Sequence, residues 1–325
     1  MRHAVLVFCV DREKDPVAGR VLDALKEECD LVATSFEVDG HSVLEVAGLH
    51  DARISIVVTN EVVSNDYARY APMFNDRFGD ADVIGIVNWH GGANAPNAIF
   101  SVQTTGDLGT GTFSAVDPRI TRGLLLAIEA ERVTSGLDSH RTYLEATHWS
   151  GVKAGDAGTR LADLRPSAVD VEIGSSPEDS ANPPAAQVLA RSLLRIFDRI
   201  EEPVHSVLCI GGVHFEPSFT NAVLQSRDRP PIAASHVLPN HWLVSDGYDQ
   251  ESRLVDLRAC LHSIVGGIQS IVYHDKLKAF QGSCSPARRG ARCSDAFAQK
   301  NCARLFRRIL SNECAKAAIC CRTSI

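Results

Sequence analysis

No apolar run in the 325-residue chain approaches the roughly 18 residues needed to span a bilayer, so no membrane partner is expected. The first apolar run is not expected to be a secretory leader either. Ala4–Val10 is apolar throughout, yet Asp11-Arg12-Glu13 stands where a small-residue cleavage site belongs. The run reads as a buried strand and the chain as cytoplasmic. The ten cysteines form no paired C-x-x-C units, which speaks against a zinc ribbon, and a reducing compartment leaves no disulfide framework to expect. There is no G-x-x-x-x-G-K-[ST] phosphate loop, no complete dinucleotide glycine fingerprint and no G-x-S-x-G nucleophile elbow. Kinase, P-loop ATPase, dehydrogenase and α/β-hydrolase readings are all weak on that ground. H-x-x-x-H and H-E-x-x-H helices are also missing.

What is present belongs to a globular chain: 45% hydrophobic residues, 22% charged, 23 glycines and 14 prolines. The net charge of −7 hides an asymmetry. Residues 276–325 hold 11 Lys/Arg against two acids, whereas residues 1–275 hold 22 bases against 38 acids. Six of the ten cysteines also lie in that tail. The chain therefore divides into a body, residues 1–275, and a basic, Cys-containing C-terminal extension, residues 276–325.

Along the body, short Val/Ile-rich runs alternate with segments of helical period. Candidate strands are Ala4–Val10, Ile54–Thr59, Asp82–Val87, Ala98–Gln103, Ala168–Ile173, Val204–Ile210 and Ile268–Tyr273. Candidate helices start near Pro16, Pro118, Pro184, Pro217 and Gln250, with proline suited to a first turn whose N–H has no partner. This alternation predicts an α/β domain with a mostly parallel sheet and helices on both faces. Val152–Pro166 and Ser175–Pro184 are rich in small and polar residues and read as exposed loops.

Chemistry concentrates where apolar runs end. In Ser206–Thr220 a strand runs into Gly211-Gly212, then His214, Glu216 and a helix start at Pro217. Two glycines there let a ligand approach the backbone, and sites of open α/β sheets form at such strand ends. His214 would be an acid/base or a metal ligand, or a hydrogen-bonded histidine on a tight turn. Glu145–Trp149 places His148 beside a glycine-rich stretch. Glu172 ends a strand before Gly174, as a ligand, a base or a helix cap. His236 precedes a possible strand. Asn88–Gly109 reads as a polar loop holding His90, Thr105 and Gly106. His90, His148, Glu172, His214 and His236 have the donor atoms zinc takes, although spacing alone does not bring them together.

Taken in order, Glu13–Gly19 (EKDPVAG), Asn88–Gly109 with its T-x-G-[ND]-x-G ending, Glu145–His148 (EATH), Val171–Ser175 (VEIGS), Gly211–Thr220 (GGVHFEPSFT) and His236–Pro239 (HVLP) resemble the archaeal and plant type of D-aminoacyl-tRNA deacylase. The resemblance spans roughly residues 1–275. It implies a fold similar to the phosphorylase and peptidyl-tRNA-hydrolase group, D-aminoacyl-tRNA as partner with no DNA, and zinc-assisted hydrolysis of the ester that joins a D-amino acid to tRNA. It also implies catalytic roles for His148, His214 and Glu172, metal ligation by His148, His214 and His236, and substrate contacts from His90, Thr105, Gly106, Gly211, Gly212 and Glu216. The chain departs from the family where Gln103 and Trp149 replace histidines and Phe215 replaces a tyrosine. The alternatives are a non-catalytic tRNA- or ligand-binding relative and a hydrolase of another small ester or amide on the same fold. The basic tail, with Arg288, Arg289, Arg292, Arg304, Arg307 and Arg308, is a candidate for phosphate contacts. The sequence carries no signal for the oligomeric state.

Overall fold

A computed structural model describes residues 1–92, 95–148, 161–248 and 250–274. The basic extension lies outside the described residues. The central sheet is built from β1 (Arg2–Cys9), β2 (Leu31–Val38), β3 (His41–Val46), β4 (Ala52–Thr59), β5 (Val83–His90), β6 (Ile99–Thr104), β9 (Arg141–Leu144) and β10 (Ser167–Gly174). Its strand order is β2-β3-β4-β1-β5-β10-β6-β9. β1 pairs in parallel with β4 and β5, and β5 with β10, so these strands end along one edge. β6 then runs antiparallel to β10, and β9 parallel to β6 at the sheet's border.

A second, all-parallel sheet places β11 (His205–Ile210) between β12 (Ile232–Leu238) and β13 (Ser270–Tyr273). Two further short strands, β7 (Gly106–Asp107) and β8 (Thr112–Phe113), pair with each other. Helices cover both faces of the central sheet. On one, α1 (Ala18–Glu28), α3 (Pro118–Thr134) and α5 (Pro183–Leu194) bury Leu22, Leu124 and Leu189 against Leu6, Phe100 and Val171. On the other, α2 (Tyr67–Phe78) packs Tyr70, Phe74 and Phe78 with Val5, Ile84 and Ile86. The expected α/β class is thus observed. No described helix is long and apolar enough to cross a membrane.

All seven expected strands form, with ends shifted by at most three residues. The β2–β3 hairpin, β9 and β12 escape a reading based on continuous apolar runs. β2 alternates exposed and half-buried residues, and β12 interrupts its run with Ser235 and His236. α2 carries Pro72 inside it, which hides the helix from sequence. Asn88–Gly109 is not one polar loop: it starts in β5 and contains β6. Ser175–Pro184 is not an exposed loop either, since α4 (Pro177–Ser180) fills it with Ser176 as a capping-box residue, and Asp179 and Ser180 are buried. Leu161 and Leu164, in the other stretch read as a loop, belong to the apolar core beside α2.

Candidate active site

Alternation along β5 and β10 builds the floor. Ile84 and Ile86 face α2, and the next residues on that face, Asn88 and His90, are polar. In register beside them, Ala168 gives way to Asp170 and Glu172. One sheet face thus passes from apolar core to a buried polar group at the strands' carboxyl ends, where ligands bind in open α/β sheets. Gly174 closes that row. A Cβ there would lie 2.7 Å from the Cβ of His90, so only glycine leaves room for the ring's backbone.

Glu145, one residue beyond β9, is the centre of the group. Its side chain is fully buried. Its Oε1 accepts from Nε2 of His90 at 3.0 Å and from Nε2 of His214 at 2.6 Å. His148 Nδ1 lies 3.7 Å from the same oxygen and donates to the Ala146 carbonyl at 2.9 Å, which leaves Nε2 as an acceptor. Burial pushes the Glu145 carboxyl up, but the hydrogen bonds from His214 and His90 outweigh it and hold the group well below the usual carboxylate range. Burial lowers His90, and its bond to Glu145 more than offsets that, so its pKa is raised. His148 is lowered by burial, against the attraction of Glu145, and is neutral near pH 7.

The neighbouring acids behave in the opposite way. Burial raises Glu172 well above its ordinary value, and the charges of Glu145 and Asp170 add to this. Asp170 is pushed up to about 7 by burial, although Thr105 Oγ1 and Asn88 Nδ2 donate to it at 3.0 and 2.9 Å. The site therefore holds one carboxylate whose pKa is held down beside two carboxyls whose pKa values are pushed up, the kind of separation that acid–base chemistry uses.

His214 comes from the second sheet. The turn after β11 carries it, with Gly211 at φ 96° and Gly212 at φ 71°, and its carbonyl accepts from Ala146 N at 3.0 Å. Glu216 shapes that turn. Its Oε1 accepts from Ser218 N as the cap of α6 (Pro217–Leu224), and its Oε2 accepts from Val213 N at 3.3 Å. Aromatic rings complete the wall: His148 and His214 have centroids 4.8 Å apart, and Trp242 lies 5.5 and 5.4 Å from them. A cavity of about 250 Å³ opens here, lined by Gly106, Asp107, His148, Trp242 and Asp246.

Of the residues expected from sequence, His90, His148, Glu172 and His214 come together. His236 does not join them. It is fully buried, its Nδ1 pairs with Thr104 and Thr147 hydroxyls at 3.0 and 3.2 Å, and its Nε2 pairs with Ser263 Oγ at 3.0 Å. With both ring nitrogens engaged, it has no lone pair to offer a cation. Gly106 N donates to the His148 carbonyl at 3.3 Å, and Gln103 Nε2 donates to that carbonyl at 2.6 Å. Gln103 thus fixes the backbone that carries His148. Glu145 itself was not among the expected site residues, nor were Asp15 and Asp170. For Asp170 the sequence does carry a signal: two acids at alternate positions of an otherwise apolar strand, AVDVEIG, share one face. Asp15 ties α1 to β5, with Oδ1 accepting from Val17 and Ala18 N and Oδ2 from Trp89 N.

Among the described residues, His90, Glu145 and His214 offer donor atoms that all lie within 4.8 Å of one another. Nδ1 of His90 and Oε2 of Glu145 are buried without hydrogen-bond partners. Two imidazoles and a carboxylate are a donor set that zinc takes in hydrolytic sites, so these residues fit such an ion.

The family model described as D-aminoacyl-tRNA deacylase matches residues 77–282, more than half of the chain. The chain belongs to the D-aminoacyl-tRNA deacylase family. The D-aminoacyl-tRNA deacylase of Natronomonas pharaonis is 25% identical over 182 residues, 56% of this chain and 38% of that protein. The one from Pyrococcus abyssi is 23% identical over 232 residues, 70% of this chain and 78% of that protein. The match thus spans well under half the length of the Natronomonas relative. Among solved structures, a conserved protein of unknown function, AF0625, superposes with a TM-score of 0.65 at 17% identity, covering 87% of this chain and 89% of that one. That likeness is one of fold.

Proposed function

We propose that the protein hydrolyses the ester linking a D-amino acid to tRNA, with a zinc ion held by His90, Glu145 and His214. The observation that carries this reading is the buried Glu145 carboxylate shared by two imidazoles, inside the stretch that matches the family. Zinc bound there would supply Lewis-acid chemistry: activation of water and stabilisation of the tetrahedral oxyanion. The chain's own residues do the rest. Glu145 orients both imidazoles. His148, neutral and with Nδ1 committed to the Ala146 carbonyl, presents Nε2 to accept a proton from the attacking water. Trp242 and the Gly106–Asp107 turn bound the cavity that receives the aminoacyl group. Glu172 stands 4.0 Å behind His90 Nε2 and limits its movement.

The test is hydrolysis of D- and L-tyrosyl-tRNA by purified protein, with and without zinc. Turnover of the D-ester alone supports the reading. Equal hydrolysis of both isomers, or binding of tRNA without turnover, sinks it. The second outcome would leave the non-catalytic alternative standing.

A further inference from the structure

A groove lies along the outer side of β9, the strand that ends one residue before Glu145. Strand residues at alternate positions share a face, so Arg141, Tyr143 and Glu145 form one row spaced by roughly 6.6 Å a step, about 13 Å end to end. β9 is the last strand of the sheet, and between it and α6 lies a cavity of about 390 Å³. Arg132, Arg141, Tyr143, Asn221 and Gln225 are among the residues that line it. Its one acid, Glu129, is already bound to Arg132 at 2.8 Å and to Thr142 Oγ1 at 2.8 Å. Arg141 is exposed, and its guanidinium makes no hydrogen bond or ion pair among the described residues. Tyr143 is half-buried, and its ring meets Phe215 edge-on at 5.5 Å. Phe215 in turn lies 5.0 Å from His90 and 4.8 Å from His214. A chain of ring contacts thus links Tyr143 in the groove, through Phe215, to the acid–histidine group.

We propose that this groove receives the 3′-terminal nucleotide of the tRNA substrate, a subsite that rests on the hydrolase reading above. An ester seated at His148 and His214 places its ribose beside Phe215 and Tyr143. The base stacks on the Tyr143 ring, with the Asn221 and Gln225 amides at its edge, and the 5′ phosphate meets Arg141. Single-stranded RNA ends are held in this way, by an aromatic platform for the base and a cation for the backbone. A second cavity of about 680 Å³ shares Pro217, Asn221 and Gln225 with the first and runs to the exposed Arg227. It offers the preceding nucleotides a path. The body is acidic overall, and among the described residues the Arg141 guanidinium pairs with no acid, which leaves it available to a phosphate.

The experiment is equilibrium binding of an uncharged acceptor-stem hairpin with a single-stranded 3′ end, read by fluorescence anisotropy across a salt series. The full-length chain is compared with Arg141→Glu and Tyr143→Leu. Arg141→Glu should weaken binding about tenfold and lower the salt slope by about one. Tyr143→Leu should weaken it about tenfold, the scale of one stacked base. A hairpin lacking the terminal nucleotide should lose the Tyr143 effect. In turnover of D-tyrosyl-tRNA, Arg141→Glu should raise KM with kcat little changed, while D-tyrosine ethyl ester should be cleaved as by the wild type. Wild-type affinity and salt slope in both variants would overturn the subsite, even with turnover intact. Absence of wild-type turnover, with binding still sensitive to both substitutions, would remove the hydrolase reading and keep the groove as an RNA-end site.

Discussion

Replacing Glu145 by glutamine tests the centre of the site with the smallest change of shape. Oε1 of Glu145 accepts from two imidazoles, and the residue has no exposed surface. The amide keeps an acceptor but loses the charge. Each bond then drops from charge-assisted to neutral, a loss of about 1 kcal/mol apiece. Relief from burying a charge works in the other direction. The net change in folding stability should stay within roughly 2 kcal/mol, a shift of a few degrees in Tm for a chain of this length. Catalysis has no such offset. Without the carboxylate, His90 loses the bond that raises its pKa, and the trio loses its single anionic donor. Turnover of D-tyrosyl-tRNA should fall about 10²-fold or more, equivalent to about 2.7 kcal/mol in the barrier. The assay is single-turnover hydrolysis at saturating protein with added zinc, alongside thermal melting. Glu145→Asp, which keeps the charge at a shorter reach, should recover part of the loss. A Glu145→Gln protein that hydrolyses the D-ester within threefold of wild type would refute the reasoning, because no role for the shared carboxylate would survive it.

Zinc retained per chain after dialysis, measured by elemental analysis, should fall sharply in His90→Ala and in Glu145→Ala and stay at the wild-type level in His236→Asn; the reverse pattern would move the ion to His236. Acid should destabilise the fold through His236, which burial depresses to about 3 from the ordinary 6.5. Between those values the unfolded chain takes up a proton that the folded one refuses, so stability is full above pH 6.5 and drains as pH falls. The slope is about 1.4 kcal/mol per pH unit, or about 2 kcal/mol between pH 6.5 and 5. Urea unfolding at pH 7 and pH 5 should show this loss in the wild type and a smaller one in His236→Asn, and equal losses in both would contradict it.

Much of the fold could be read from runs of Val and Ile, because strands covered on both faces must be apolar nearly throughout. β1, β4, β5 and β10 were legible for that reason. β2 and β3 were not. They sit at the sheet's other border, where half the side chains face solvent, and their pattern dilutes into that of a polar loop. α2 was hidden by Pro72, which a helix tolerates here while tertiary packing of Tyr67, Tyr70 and Phe74 holds it in place. Local propensity was overruled by burial in each case.

The site divides along a different line. Histidines next to strand ends announce themselves, since few residues titrate near neutral pH and fewer sit beside glycine turns. His90, His148 and His214 were found in that way. What sequence could not give was the distinction between a histidine that offers a lone pair and one that spends both nitrogens on hydroxyls. His236 looks the same as His214 in one dimension. Its neighbours Thr104, Thr147 and Ser263, from three separate segments, turn it into a buried strut between the two sheets' layers. Glu145 shows the converse. In sequence it is one acid among 40 Asp and Glu, ahead of a more conspicuous histidine. Its role comes from β9 ending one residue earlier, which carries the carboxylate beneath two rings delivered by β5 and by the turn after β11. A buried acid is tolerated only when its partners outweigh desolvation. That condition is met here by residues 55 and 69 positions away in the chain, so the acid–histidine group is a product of topology that no local motif encodes.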